Sequence, residues 1–247
     1  MAKAFKRTNR LTLNLDEGGR LIAVDLLKIL KSKYNYRKLS TITGFPVSTL
    51  TRYLTGKTIP KRSRAEKLLK NLLADINISS LIAQNIDGGE EDYPNLSRVM
   101  LDPNIIKVLG AHILNEFMGM KVTSFLSLDL LSIPLASYLS TTTSRPLHII
   151  ANEPIAFNGE SIPIIFTEHG GMHAKSYWLV LRGNRRRESI LAIASHSPTP
   201  PFFNSLMDTL TRLKHELVGI FMVSAREAHL KKMNLPPTLK RSYILLC

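Results

Sequence analysis

Apolar residues recur at helical spacing through the N-terminal part of the chain. In residues 21–33 and 60–73 they alternate with polar and basic positions, which predicts two amphipathic helices. Residues 39–55 (LSTITGFPVSTLTRYLT) carry the same spacing, but a glycine and a proline at 44–46 favour a tight turn there. The pattern therefore predicts two short helices joined by a turn, as in a helix-turn-helix. The stripe of the first helix is formed by Leu21, Val24, Leu27 and Leu30.

The second helix of this pair, predicted over residues 47–55, has two different faces. Leu50 and Tyr53 fall on one face and are predicted to point into the domain. The opposite face is short, polar and basic, which suits a helix that lies in the major groove of DNA. The alternative is an ordinary helical hairpin whose polar face meets water. The residues predicted to contact DNA are Pro46, Val47, Ser48, Thr51, Arg52, Thr55, Lys57, Lys61 and Arg62.

From residue 93 onward, short apolar runs typical of strands alternate with helical patterns. Such alternation is typical of an α/β domain whose mostly parallel sheet is covered by helices. The strands are predicted at residues 122–128, 147–151, 162–167, 177–181, 189–194 and 218–224, and the helices at 105–118, 134–139 and 202–216.

The predicted fold class therefore combines two parts. An N-terminal all-α helix-turn-helix domain is predicted at residues 1–74 and an α/β domain at residues 93–247. Residues 75–92 between them are acidic and carry glycines, which predicts a linker.

Charge is distributed unevenly along the chain. The formal net charge is +14, and residues 1–72 hold 17 of the 33 lysines and arginines but only four of the 19 acidic residues. Such an asymmetry indicates a nucleic-acid-binding module on a nearly neutral body, and residues 1–10 are predicted to form a basic arm. Double-stranded DNA is the favoured partner, and a sequence-neutral chromatin or RNA binder is an alternative.

Composition disfavours several other classes of protein. With Cys247 as the single cysteine, neither an intramolecular disulfide nor a cysteine-based metal site is expected. No apolar run is long enough to cross a bilayer, so we expect a cytoplasmic, nucleoid-associated protein that does not bind membranes. His169 and His173 are four residues apart, but two glycines between them argue against the helix that would bring the imidazoles together. No metal site is predicted.

From about residue 93 to its end the chain resembles the type I phosphoribosyltransferases in the order of its elements. With its N-terminal part, it resembles archaeal transcription regulators that join a helix-turn-helix to such a domain. In that family a buried strand leads into two acidic residues that hold the ribose of phosphoribosyl pyrophosphate, and then into a loop that binds its 5′-phosphate. The matching stretch here is residues 189–210, SILAIASHSPTPPFFNSLMDTL. Ala194 and Ser195 stand in place of the acids, and prolines replace residues that would donate N–H groups.

A second ligand loop of the family differs as well. After the first strand the resemblance implies a glycine-bearing turn for pyrophosphate, where this chain has Leu130, Leu131 and Ser132. These departures predict that the domain is not an enzyme, with no catalytic residues and no cofactor. The hydroxyls of Ser195, Ser197 and Thr199 could still contact a phosphorylated ligand, although Thr199 also suits the N-cap of the next helix.

The function predicted from these observations is that of a sequence-specific, DNA-binding transcription regulator that acts as a homodimer. Its α/β domain would serve dimerisation or the sensing of a nucleotide or phosphoribosyl pyrophosphate effector. The alternative is an active phosphoribosyltransferase of the purine or orotate type that carries a DNA-binding appendage.

Overall fold

A computed structural model describes residues 13, 17–86, 88–90, 93–155, 160–168, 173–181 and 187–247. The predicted basic arm and His169 lie outside these residues. In the N-terminal part the chain forms helices α1 (Glu17–Lys33), α2 (Tyr36–Thr43), α3 (Val47–Leu54), α4 (Arg62–Ala74) and α5 (Ile78–Ala83).

Helices α2 and α3 are joined by a three-residue turn, as the hydrophobic pattern predicts. Gly44 ends α2 with a φ of 70°, a conformation that glycine adopts without a steric penalty. The hydroxyl of Ser40 donates to the carbonyl of Phe45 at 2.7 Å, which closes the turn. From α4, the side-chain amide of Asn71 donates to the carbonyl of Thr43 at 3.1 Å. The turn is therefore held both locally and by the neighbouring helix.

The rest of the described chain forms a mixed α/β unit. In chain order its elements are β1 (Gly89–Glu90), β2 (Tyr93–Pro94), α6 (Ser97–Leu101), α7 (Pro103–Glu116), β3 (Ser124–Ser127), α8 (Ile133–Thr143), β4 (Leu147–Ala151), β5 (Glu160–Thr167), β6 (Ala174–Leu181), β7 (Ser189–His196), α9 (Pro200–Arg212), β8 (Glu216–Ala225), α10 (Glu227–Lys232) and β9 (Lys240–Leu246).

A seven-stranded sheet in the order β5-β6-β4-β3-β7-β8-β9 organises this unit. Strands β4, β3, β7, β8 and β9 run parallel. Strand β6 pairs antiparallel with β4, and the edge strand β5 pairs antiparallel with β6. The predicted α/β fold with a mostly parallel sheet is thus confirmed. Helices α5, α6 and α10, strand β9 and the β1-β2 ribbon are absent from the sequence-based prediction.

Each face of the sheet packs into a different apolar core. In β7, Ile190, Ala192 and Ala194 face the core beneath α9, while Leu191 and Ile193 face the other side. That second core is continuous with the interior of the N-terminal helices. The segment predicted as a linker contains α5 and β1, and the domain boundary there stays a prediction.

A buried carboxylate joins four segments at the amino ends of the parallel strands. Glu188 Oε2 accepts hydrogen bonds from Ser124 Oγ (2.8 Å) and His148 Nε2 (2.5 Å), and the Glu188 N–H donates to His215 Nδ1 (3.2 Å). Burial alone would raise the pKa of Glu188. Three neighbours lower it by more, namely His148 through its hydrogen bond and charge, Ser124 through its hydrogen bond, and His215 through its charge. The pKa of Glu188 therefore lies below its ordinary value. Glu188 is thus ionised, and its Oε2 is held by two neighbouring strands.

Two kinds of feature are absent from the described part of the chain. None of its helices is both long and apolar enough to cross a membrane. Nor do three or more His, Cys, Asp or Glu side chains gather there in a way that could hold a metal ion.

Candidate functional site

A cavity of about 580 Å³ lies at the carboxyl ends of β3, β4 and β7. Because these strands are parallel neighbours, the loops that follow them meet at one edge of the sheet, where α/β proteins commonly bind ligands. The cavity has the size of a small-molecule site. Part of its wall is aromatic, since the rings of Phe166, Tyr177 and Phe202 lie 5.3 to 5.5 Å apart.

Asp129, just beyond the end of β3, connects two loops that line this cavity. Its Oδ1 accepts a hydrogen bond from the Ser132 N–H at 2.8 Å, and its Oδ2 accepts one from the Ser195 N–H at 2.7 Å. The carboxylate therefore lies beside the end of β7. A carboxylate offers about four lone-pair sites, so two are left for a ligand.

Ser195 and His196 form a hydrogen-bonded pair at the end of β7. His196 Nε2 lies 2.9 Å from the carbonyl oxygen of Pro94, which can only accept, so Nε2 carries the proton. Nδ1 lies 3.0 Å from the Ser195 hydroxyl, within hydrogen-bonding distance. The pair brings a hydroxyl and an imidazole, hydrogen-bonded to each other, to the end of β7 beside the cavity.

Tyr93 covers this pair from the β1-β2 ribbon. Its ring stacks on that of His196 with centroids 4.4 Å apart and planes 7° from parallel, and the guanidinium of Arg226 lies 5.3 Å from the Tyr93 centroid. Burial raises the pKa of Tyr93, and the charge of Asp129 raises it further. Tyr93 is thus a neutral phenol at the cavity wall.

The three hydroxyl residues predicted to meet a ligand all line the cavity, in different surroundings. Ser197 is buried, and its Oγ accepts from the Arg226 N–H (3.0 Å) and lies 3.1 Å from His229 Nδ1. Thr199 occupies the N-cap position of α9, but its hydroxyl makes no capping hydrogen bond. Ser195 is also buried, so the half-buried Thr199 presents the most accessible hydroxyl of the three.

The residues predicted to contact DNA lie on the N-terminal helices rather than around the cavity. On α3, Leu50 and Tyr53 are buried, while Ser48 and Arg52 are exposed, as predicted. Thr51 is half-buried, and its hydroxyl donates to its own helix. The other predicted contacts are exposed, namely Pro46, Val47, Thr55, Lys57, Lys61 and Arg62.

Comparison with known proteins yields a likeness in fold. No protein-family model and no curated protein matches the chain in sequence. Solved adenine phosphoribosyltransferases match in structure, with 11% identity and a TM-score of 0.58 for the Rhodothermus marinus enzyme, over 69% of this chain and 98% of that one. For the Thermoanaerobacter pseudethanolicus enzyme the identity is 10% and the TM-score 0.57, and the match covers 68% of this chain and 99% of the enzyme. The Saccharomyces cerevisiae enzyme was solved with adenine and an iminoaltritol bisphosphate. Its sequence identity is 9% and its TM-score 0.56, and the match covers 68% of this chain and 98% of the enzyme.

These similarities overturn the prediction that the chain is not an enzyme. Nearly the whole length of each of these enzymes has a structural counterpart in the chain. The prediction rested on the absence of acids at Ala194 and Ser195. In the structure a carboxylate does lie beside Ser195, but it belongs to Asp129, which follows the adjacent strand.

Sequence reasoning missed Asp129, His196 and Tyr93. Asp129 directly follows a predicted strand, so an inventory of acids after every strand would have found it. His196 and Tyr93 gave no such signal, because their stacking depends on how the β1-β2 ribbon folds over β7.

Proposed function

We propose that the protein is a phosphoribosyltransferase. A ring nitrogen of a purine base would form a bond to C1′ of phosphoribosyl pyrophosphate and lose its proton, while the bond from C1′ to pyrophosphate breaks and pyrophosphate leaves. The observation that carries the proposal is the Asp129 carboxylate, fixed by two backbone N–H groups at the rim of the cavity between β3 and β7. The likeness in fold to adenine phosphoribosyltransferases supports a purine as the acceptor.

Asp129 would bind the ribose hydroxyls of the substrate. Its oxygens each keep a lone pair after accepting from the backbone, and hydroxyl groups donate well to a carboxylate. Because both loops hold the side chain in place, little conformational entropy is lost when the ribose binds. In the family that the sequence resembles, two acids at the end of the strand corresponding to β7 hold the ribose. Asp129 would take their role here.

The 5′-phosphate would lie at the start of α9. This helix has 13 residues, and its N-terminal end favours an anion through the helix dipole. Pro200 and Pro201 donate no N–H groups there, so the free hydroxyl of Thr199 becomes the main side-chain donor. The base would pack against the aromatic cluster of Phe166, Tyr177 and Phe202, of which Phe202 lies in the first turn of α9 itself.

The experiment is a chromatographic assay for nucleotide formed from phosphoribosyl pyrophosphate with adenine, guanine or hypoxanthine. We expect Asp129→Asn to lower kcat/KM by about 100-fold, which corresponds to about 2.7 kcal/mol of transition-state stabilisation. The matched control is Asp208→Asn, which removes an exposed carboxylate from α9 and should leave the rate unchanged. Absence of nucleotide with all three bases, or equal rates for both variants, would refute the proposal.

A second function, binding of double-stranded DNA by the α2-α3 pair, is favoured by the geometry of α3. Its outer face is exposed and carries Arg52, and basic residues follow it in the turn and in α4. A homodimer would place two such helices on half-sites about 34 Å apart, one turn of the DNA.

Two variants distinguish base contacts from phosphate contacts in this second function. Arg52→Ala should cost about 1–3 kcal/mol at a preferred site and relax sequence preference, because Arg52 would contact a base edge. Lys61→Ala should weaken binding to all duplexes and reduce the salt dependence by about one counterion. Selection of a binding site followed by titrations at several salt concentrations measures both, and an unchanged affinity of Arg52→Ala would show that α3 does not read the DNA.

A further inference from the structure

A second cavity, of about 440 Å³, lies between α1, α5 and the start of α7. It is separate from the cavity at the ends of β3 and β7, and no residue lines both. Its floor is apolar, since Leu30, Ile105 and Val108 are at least 94% buried. The volume is within the range of small-molecule sites, which often lie between packed units of a protein.

The two carboxylates at this second cavity are already engaged. Asp102 is the N-cap of α7, where its Oδ1 accepts from the N–H groups of Asn104 (2.7 Å) and Ile105 (2.9 Å). Asp25 accepts from the Tyr138 hydroxyl at 3.4 Å and lies 3.8 Å from Lys28 Nζ. The start of α7 is therefore capped by the protein itself, and it leaves no open donors for a ligand.

Two of the three lysines that line the second cavity are not paired with an acid in the described part of the chain. Lys33 is exposed at the end of α1, and Lys107 is half-buried on α7. Among the residues that the structure describes, neither of them forms an ion pair. The cavity thus combines an apolar floor with two lysines from different helices that are in no ion pair within the described ranges, while its two carboxylates are engaged elsewhere. This combination is complementary to an anion that carries an apolar body.

We propose that the second cavity is a binding site for a small organic anion, with its apolar body on the floor and its charged group between Lys33 and Lys107. A carboxylate, sulfonate or phosphate meets the charge requirement, and an aromatic or aliphatic body meets the apolar one. Because the walls come from α1, α5 and α7, an occupant would hold the N-terminal helices against the α/β unit.

The test uses the full chain and the fluorescent probe 8-anilinonaphthalene-1-sulfonate, an aromatic anion. The fluorescence titration should show a saturable binding component. In the double variant Lys33→Gln/Lys107→Gln the affinity of this component should fall by about tenfold, because two charge-assisted contacts are lost. The matched control is Lys38→Gln/Lys70→Gln, which removes the same charge from exposed positions on α2 and α4 and should leave the affinity unchanged.

Competition then identifies the preferred body of the anion. Displacement of this component by dodecanoate indicates an aliphatic chain, whereas displacement by adenosine monophosphate indicates an aromatic base with a phosphate. Equal affinities for the wild type and both double variants would place the probe elsewhere and overturn the proposal. So would an equal loss in the control variant, because the effect would then reflect net charge rather than this cavity.

Discussion

Glu188 shows what a single buried charge contributes to this fold. Its side chain is 6% exposed, and its Oε2 accepts from Ser124 and His148. We expect Glu188→Gln to lower the free energy of unfolding by about 1.5–3 kcal/mol, the range for hydrogen bonds to a charged group. Urea denaturation at pH 7 measures this loss.

Glu216→Gln is the matched control for that prediction. Glu216 pairs with Arg187 at 3.4 Å, but both side chains are more than half exposed. Exposed pairs are worth about 0–1 kcal/mol, so this variant should be nearly as stable as the wild type. Equal losses in the two variants would show that the buried network contributes no more than a surface pair.

At the same scale, Asp129 shows where sequence reasoning stopped. The buried positions of β7 follow from its apolar run, and they are correct in the structure. The carboxylate of the candidate site comes instead from a residue 66 positions away in the chain. A motif that is read along one strand cannot contain it, because the two strands become neighbours only when the sheet assembles.

At the scale of elements, the turn between α2 and α3 depends on the backbone freedom of Gly44. Residues with a Cβ pay about 1–2 kcal/mol for the left-handed conformation that this position adopts. A Cβ there would meet only the end of the Lys67 side chain, at 3.6 Å, so the loss would be conformational rather than steric. We expect Gly44→Ala to destabilise the protein by about 1 kcal/mol, and Gly44→Asn by less, because asparagine tolerates this conformation better. Thermal unfolding of the two variants distinguishes this account, and an equal or greater loss for asparagine would contradict it.

Elements with strong periodicity were predictable, and short or exposed ones were not. Helix α5 has six residues, fewer than two turns, so its apolar positions cannot establish a period. Strand β9 begins with Lys240 and Arg241 and lies at the edge of the sheet, where half-exposed positions weaken the strand signal. Both elements are defined by their neighbours: β9 pairs with β8, and the Ser79 hydroxyl of α5 donates to the carbonyl of Ile244 in β9.

For the whole molecule, the main departure from the sequence-based picture concerns α1. A stripe that begins at Leu21 predicts a helix buried on one side, yet Leu21 is 42% exposed while Ile22 and Leu26 are fully buried. The buried face is wider because α1 packs against the N-terminal helices and also against α7 and α8. The contact with α8 is close, since a Cβ on Gly18 would lie 1.5 Å from the carbonyl oxygen of Thr142. Periodicity reveals that a helix has a buried face, but it does not reveal how many partners cover it.

Three histidines in different parts of the molecule make its stability depend on pH. Burial lowers the pKa of His112, His215 and His229, and for each of them this effect outweighs the neighbours that raise the pKa. The unfolded chain, with ordinary histidine pKa values of about 6.5, therefore binds more protons than the folded chain at mildly acidic pH.

The free energy of unfolding should consequently be fully retained above about pH 6.5 and should decrease as the pH falls from there through the folded pKa values. Glu188 adds a further loss only near and below the ordinary pKa of a glutamate, about 4.3, because its own folded pKa is lowered. Urea denaturation at pH 7.5, 6.5 and 5.5 isolates the histidine contribution, and we expect the lowest stability at pH 5.5. Replacing His112 by Gln should reduce the difference between pH 7.5 and pH 5.5, since one of the three protonation sites is then lost. A protein that is equally or more stable at pH 5.5 would show that burial does not keep these imidazoles neutral.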